Sequence, residues 1–292
     1  MGASKFTESV VEEAALEWLE GLGYTVLHGP EIAAGEAAAE RDDSGYRDVV
    51  LERRLRQALE RLNPSSPPAA LDDAYKRVTR LDEPSLTSRN HAFHKMLVEE
   101  VNVEFTRPDG SIGGGQVKLI DFDNPANNDW VAVNQFTVVE GQSERRPDVL
   151  IFVNGLPLIL MELKNPADEN ATIWKAFDQI QTYKEQIHSL FAYNEALIVS
   201  DGVEARVGSL TASQEWFMPW RTIEGEDLAP KSLPQLQVVL QGLLDKRRLL
   251  DFLRYFIVFE DEGGGNVTKK ISGYHQFHAV NRALDATLTA SR

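Results

Sequence analysis

Asp148, Glu162 and Lys164 are the residues whose types and spacing suit hydrolysis of a phosphodiester. Carboxylates hold Mg²⁺ through hard oxygen ligands and leave positions open for water and phosphate oxygens. The metal generates hydroxide and screens the charge that develops at phosphorus. A lysine beside it orients the attacking water and stabilises the pentacovalent state electrostatically. Glu162 and Lys164 flank Leu163, so on a strand their side chains share one face. Glu-x-Lys is also a common tripeptide, and a solvated strand end preceded by a turn aspartate is the plain structural reading of the same residues.

The intervening sequence bears on that choice. Two apolar runs, 149–153 and 156–161, are joined by Asn154-Gly155, the strongest short-range hairpin signal. A hairpin brings Asp148 on one strand toward Glu162 and Lys164 on the other, at the rim of an apolar sheet. With a strict two-residue turn, Asp148 sits opposite Met161 and faces away from Glu162. A three-residue Asn154-Gly155-Leu156 loop with a bulge pairs Asp148 with Glu162 instead. A metal site therefore predicts the odd-length loop or a bulge. Further on, Ile173, Phe177 and Ile180 form a helical stripe suited to packing on a sheet, and Gln179 and Tyr183, four apart, share a helix face. Alone, those two read equally as incidental residues of an amphipathic helix.

Other elements must position this set. Residues 6–23 carry a helical apolar stripe that stops at Gly21 and Gly23, followed by a short strand over 24–27 and a loop over 31–43. Helical periodicity resumes over 51–62, a turn-rich run interrupts it at 63–68, and 69–97 reads as helices broken near Pro84 and Asn90. Strands over 101–105 and 116–120 flank a turn at 107–110, and 130–139 and 148–163 are rich in β-formers. Gly113-Gly114-Gly115 and Gly263-Gly264-Gly265 read as flexible turns. Helix returns over 171–191 and strands over 196–200 and 203–208; residues 235–292 read as mostly helical, broken by an acidic glycine loop at 260–265. This order predicts an α/β (α+β) fold around one mixed β-sheet flanked by helices, with a largely helical C-terminal segment.

Length and composition narrow the options. At 292 residues there is room for one large domain with appendages, or for two. Hydrophobic residues at 42% and charged residues at 26% are ordinary globular usage, which excludes wholesale disorder. A cysteine count of zero excludes a disulfide scaffold, a thiolate metal site and a cysteine nucleophile. The sequence has no GxxxxGK(S/T) loop, no GxGxxG after a strand and no HExxH. His275 and His278 lack the further ligands a metal needs and read as a helix surface or domain contact. The five tryptophans read as packing residues. The first 24 residues lack the basic segment and apolar core of a signal peptide, and Asn154, Gly155 and Pro157 interrupt the most apolar run, so a cytoplasmic chain without a membrane span is expected.

Longer stretches point to a family. They include Ile120-Asp121-Phe122-Asp123-Asn124-Pro125, Val133-Asn134-Gln135-Phe136-Thr137-Val138, Arg146-Pro147-Asp148, Glu162-Leu163-Lys164-Asn165-Pro166 and Phe191-Ala192-Tyr193-Asn194. Phe217-Met218-Pro219-Trp220-Arg221-Thr222 and Gly273-Tyr274-His275-Gln276-Phe277-His278-Ala279-Val280 extend them across essentially the whole chain. In these the sequence resembles the N-terminal part of the R subunit of type I restriction–modification enzymes, whose nuclease domain belongs to the PD-(D/E)xK superfamily. The resemblance implies a restriction-endonuclease-like fold, with Asp148 and Glu162 as metal-binding carboxylates and Lys164 as the catalytic lysine. It implies that Gln179 and Tyr183 form the QxxxY element, which supports DNA positioning or nuclease coupling. It also implies a glutamate on the first helix near the metal; Glu8, Glu12 and Glu13 all fit, and Glu8 is favoured.

The implied cofactor is Mg²⁺, with Mn²⁺ as substitute; the substrate is double-stranded DNA, and the partners are methylation (M) and specificity (S) subunits. Residues 1–230 would form the endonuclease domain with a helical insertion around 48–97, and 231–292 a helical linker and the start of the first helicase-like motor. The stretch from Tyr274 to Val280 resembles the segment just before that motor's phosphate-binding loop. ATP is therefore expected to act only through motor domains that this sequence does not include. Base recognition is expected to lie with the specificity subunit. A stand-alone repair or junction nuclease, and a docking module that keeps the fold without cleaving, are the two rival functions.

The formal charge of −15 stands against a nucleic-acid partner. Only the last quarter is not acidic, and Lys246, Arg247, Arg248 and Arg254 cluster there on one predicted helix. Binding depends on a local stripe rather than on net charge, so weak and strongly salt-dependent DNA affinity is expected of this chain alone.

Overall fold

The computed structural model describes residues 8–165, 172–225, 227–261, 263 and 267–291. The chain opens with helix α1 (Glu8–Gly21), strand β1 (Thr25–His28) and helices α2 (Glu52–Leu62), α3 (Pro68–Thr79) and α4 (Leu86–Glu99). Strands β2 (Val101–Thr106), β3 (Ile112–Val117), β4 (Trp130–Asn134), β5 (Val138–Glu140), β6 (Ser143–Arg145), β7 (Val149–Val153) and β8 (Leu156–Leu163) follow. Helices α5 (Ile173–Gln186) and α6 (His188–Phe191) lead to strands β9 (Ala196–Ser200) and β10 (Ala205–Gly208). Helices α7 (Gln235–Leu243) and α8 (Lys246–Tyr255), strands β11 (Ile257–Asp261) and β12 (Val267–Ile271), and helix α9 (Tyr274–Ala290) complete it. Six strands form one mixed sheet in the order β1-β4-β7-β8-β9-β10. The predicted α/β class, with helices flanking a mixed sheet and a largely helical C-terminal segment, is the one observed. Among the described residues no helix is long and apolar enough to cross a membrane.

The chain divides into two compact units: a central one from Tyr24–Leu160 and Ile180–Glu195, and a terminal one from Met1–Gly23, Met161–Gln179 and Ala196–Arg292. In the central unit β1 runs parallel to β4, with His28 beside Asn134, and β4 runs antiparallel to β7, with Asn134 beside Val149. Every residue of β4 and β7 is buried, which explains the unbroken apolar runs. Each such Val, Leu or Ile contributes about 1.5–3 kcal/mol on leaving water.

The turn after β7 has two residues, Asn154 and Gly155, with φ of 53° and 81°, the type I′ pattern. The odd-length loop expected of a direct Asp148–Glu162 pairing is therefore not formed. The cause lies in the Asn154 side chain, which is fully buried. Its amide nitrogen donates to the Leu119 carbonyl (2.9 Å) and Asn128 Oδ1 (2.8 Å), and its oxygen accepts from the Asp129 N–H (2.8 Å) and Arg61 Nη2 (3.0 Å). Gly155 packs so closely that a Cβ there would lie 2.6 Å from the Leu51 carbonyl oxygen. Asp148 precedes β7 at a bend, outside the ladder whose alternation the register argument assumed.

Helices α2 to α4 are followed by the β2–β3 hairpin, and two local expectations are corrected here. Asn90 does not break a helix: it lies buried inside α4 and donates to the Ala192 and Asn194 carbonyls at 3.1 and 2.8 Å. The glycine triplet 113–115 is not a turn but the middle of β3, paired with Phe105, Glu104 and Val103. The Phe105 ring lies over Gly113, leaving no room there for a Cβ.

In the terminal unit β9 and β10 pair antiparallel. Helix α1 buries Val11, Ala15 and Leu19. The segment expected to be mostly helical also holds the β11–β12 hairpin around the acidic loop. Residues 262 and 264–266, in and beside that loop, lie outside the described residues. Helix α9 is anchored by Phe277, whose ring meets Trp220 at 5.6 Å and Phe256 at 4.5 Å.

Candidate active site

In the terminal unit, β8 ends at Leu163, but the Lys164 N–H still donates to the Ser200 carbonyl at 2.8 Å, so the chain runs on beside β9. Alternation persists, and Glu162 and Lys164 share a face. Lys164 Nζ donates to Glu162 Oε1 at 3.0 Å and to the Leu163 carbonyl at 2.9 Å, with Glu8 Oε1 at 3.5 Å. The Glu162 side chain is 0% exposed, that of Lys164 12% and that of Glu8 48%. A carboxylate sealed from water keeps its charge only against a fixed cation, and the lysine supplies one. Glu8 opens α1, where the helix dipole favours a negative side chain. Of the other two first-helix candidates, Glu13 is exposed and Glu12 half-buried.

Asp148 belongs to the central unit. It is buried, and its carbonyl accepts the Gln135 N–H at 3.0 Å. Gln135 follows β4 with a left-handed φ of 54°. One register row away, Asn134 Oδ1 meets His28 Nδ1 at 2.9 Å. His28, Asn134 and Gln135 thus ring the sheet end that carries Asp148, and sequence reasoning gave them no role. The signal was present: Asn134 and Gln135 lie in the stretch 133–138 quoted for the resemblance.

Among the described residues no group of three or more His, Asp or Glu is arranged to hold a metal ion. The donors present are carboxylate oxygens, the hard ligands Mg²⁺ takes, and Mg²⁺ needs only one or two of them beside water and phosphate. The donor set fits.

Residues 5–216 match the family model described as the type I restriction enzyme R protein N terminus. The chain belongs to that family. The Haemophilus influenzae type I restriction enzyme HindI endonuclease subunit is 41% identical over 288 residues, covering 97% of this chain and 27% of the relative. The provisionally named MjaIXP endonuclease subunit of Methanocaldococcus jannaschii is 34% identical over 306 residues, 98% of this chain and 28% of the relative. The Escherichia coli EcoprrI endonuclease subunit is 30% identical over 217 residues, 70% of this chain and 63% of the relative. The chain therefore spans about a quarter of the length of the first two relatives and corresponds to the N-terminal region of such endonuclease subunits.

The remaining residues that the R-protein resemblance singles out lie on α5. Gln179 is half-buried and Tyr183 buried, one helical turn apart. Next to Tyr183, burial pushes the Lys184 ammonium down to about 8. The basic cluster on α8 is largely engaged within its own unit. Lys246 donates to the Gly23 carbonyl, Arg247 pairs with Asp251, and Arg248 donates to the Gly242 and Gln241 carbonyls. Those groups cap and brace helices rather than forming an open cationic stripe. His278 meets Thr222 Oγ1 at 2.7 Å, the contact expected in place of a metal role. Trp216 is exposed, against the packing role expected of it.

Proposed function

We propose that this chain is the endonuclease portion of a type I restriction enzyme R subunit, cleaving double-stranded DNA with Mg²⁺. The observation that carries the reading is the Glu8–Glu162–Lys164 cluster at the end of β8, where an ammonium is clamped to a fully buried carboxylate. A structural lysine at a strand end would extend into water; this one is drawn inward.

In this reading Asp148 and Glu162 hold the metal, as the family resemblance implies. Bound Mg²⁺ would supply a water of lowered pKa and a counter-charge for the phosphate oxygens. Lys164, fixed by Glu162 and the Leu163 carbonyl, donates toward the attacking water or a phosphate oxygen. Glu8 steadies the ammonium from the first helix, and Gln179 and Tyr183 position DNA. Residues 1–230 act as the nuclease domain, and 231–292 lead toward the motor. ATP-driven translocation is assigned to helicase-like motor domains, as the family resemblance implies. Methylation and specificity subunits supply assembly and base recognition, in the cytoplasm.

The test is cleavage by the assembled enzyme. Asp148→Ala, Glu162→Ala and Lys164→Ala should each abolish cutting while ATPase activity persists. Unchanged cutting in all three would refute the site, and cleavage of branched DNA by this chain without partners would favour a stand-alone nuclease.

A further inference from the structure

Apart from the proposed nuclease residues, the central unit holds a cavity of about 240 Å³ whose wall includes Arg47, Asp48, Glu52, Tyr75, Arg89 and Ser189. It has room for a group several times the size of a water molecule. Most arginines nearby are engaged. Arg54 forks between Glu40 and Asp129, Arg56 between Glu52 and Asp72, and Arg77 pairs with Asp73. Buried Arg41 donates to the Thr137 and Asp48 carbonyls.

Arg47 and Arg89 differ. Among the described residues no carboxylate or carbonyl accepts from either guanidinium; Arg89 Nε is buried without an acceptor, as are Arg41 Nε and Arg54 Nε. Arg41 and Arg54, however, commit their terminal nitrogens to protein acceptors, whereas Arg47 and Arg89 commit none. Of the carboxylates in the wall, Glu52 is already engaged by Arg56 Nε at 2.7 Å. Asp48 remains as the counter-charge, against two guanidinium forks. Ser189, whose N–H goes to Glu140 Oε2 at 2.9 Å, also lines the cavity.

We infer that the cavity between Arg47 and Arg89 binds a phosphate group. Two planar forks offer paired N–H donors at the spacing of phosphate oxygens, which a carboxamide or a neutral sugar would not satisfy as fully. The phosphate is either that of a nucleic-acid backbone or a free phosphate, and both present the same oxyanion. The inference does not depend on the nuclease reading, since no residue is shared and its readout is binding rather than cleavage.

The experiment is calorimetric titration of this chain with inorganic phosphate, and separately with a short DNA duplex, at constant ionic strength. The variants are Arg47→Gln, Arg89→Gln and Arg89→Lys, with Arg77→Gln as a control for general loss of charge. At least a tenfold weakening in Arg47→Gln and Arg89→Gln, with Arg77→Gln unchanged, supports the site. Seen with inorganic phosphate, that pattern marks a free-phosphate site; seen with the duplex alone, it marks a backbone contact. Arg89→Lys should fall between, because it keeps the charge and loses the fork. Arg47 is exposed, so its variant decides the matter even if Arg89→Gln fails to fold. No change in Arg47→Gln for either ligand, or an equal loss in Arg77→Gln, overturns the inference.

Discussion

Replacing Lys164 with methionine keeps the apolar stem and removes the cation that faces Glu162. The ammonium makes two short hydrogen bonds, one to a carboxylate with no solvent access. Removing one member of a buried ion pair costs about 3–5 kcal/mol, and hydrogen bonds to charged groups about 1.5–3 kcal/mol each. The Lys164 side chain is 12% exposed, so water can replace part of what is lost, and the expected destabilisation is about 3 kcal/mol. Glu8, farther away and 48% exposed, should contribute less than about 1 kcal/mol when changed to glutamine. Glu162→Gln with Lys164→Met removes both charges, so the double variant should recover about 2 kcal/mol of the sum of the single losses. The assay is urea unfolding followed by tryptophan fluorescence. Added Mg²⁺ should restore part of the stability of Lys164→Met, because a bound cation again faces Glu162. A loss below about 1 kcal/mol, or a cycle with zero coupling, would refute the claim that this lysine neutralises a buried carboxylate.

Asn154→Ala should cost about 2–4 kcal/mol in the same assay, since it strands four hydrogen-bond partners, those at Leu119 and Asn128 buried, and puts alanine at a left-handed φ; Asn154→Gly, which tolerates that φ, should cost less. Lys184 has its pKa lowered by burial to about 8, so between pH 8 and its ordinary 10.5 the unfolded chain holds a proton that the folded chain lacks. Stability should therefore rise with pH across that window, by about 2 kcal/mol after allowing for partial exposure, and Lys184→Met should flatten the slope and be more stable at neutral pH. DNA binding by this chain alone, followed by fluorescence anisotropy, should be weak and fall steeply with salt; tight binding at physiological salt would contradict this.

The parts of the fold legible in the sequence are those where one local signal dominates. The β7–turn–β8 hairpin follows from two unbroken apolar runs around Asn154-Gly155, α1 and α2 from helical stripes with clear stops, and α5 from the stripe of Ile173, Phe177 and Ile180. Elsewhere tertiary contacts override local preference. Glycines 113–115 form a strand because β2 supplies the ladder and Phe105 covers Gly113. Asn90 stays helical because distant carbonyls satisfy its amide. The β11–β12 hairpin is masked by charged residues on short strands flanking an acidic loop.

In the candidate site, Glu162 and Lys164 were readable because their spacing matches a strand's alternation. Turn length was not, because it rests on the contacts of the buried Asn154 side chain with residues 61, 119, 128 and 129. Nor was the fate of the α8 cations, whose partners include the carbonyl of Gly23, far away in sequence. The −15 charge was misleading only as a whole-surface number; on the inner face of β8, a negative group is what a metal requires.

Asp148 and Glu162 are the proposed metal ligands. Anomalous diffraction from crystals soaked in Mn²⁺ tests that assignment most directly. A manganese peak within coordination distance of both carboxylates, absent in Glu162→Gln, is the predicted result; crystals showing no manganese at either carboxylate would contradict it.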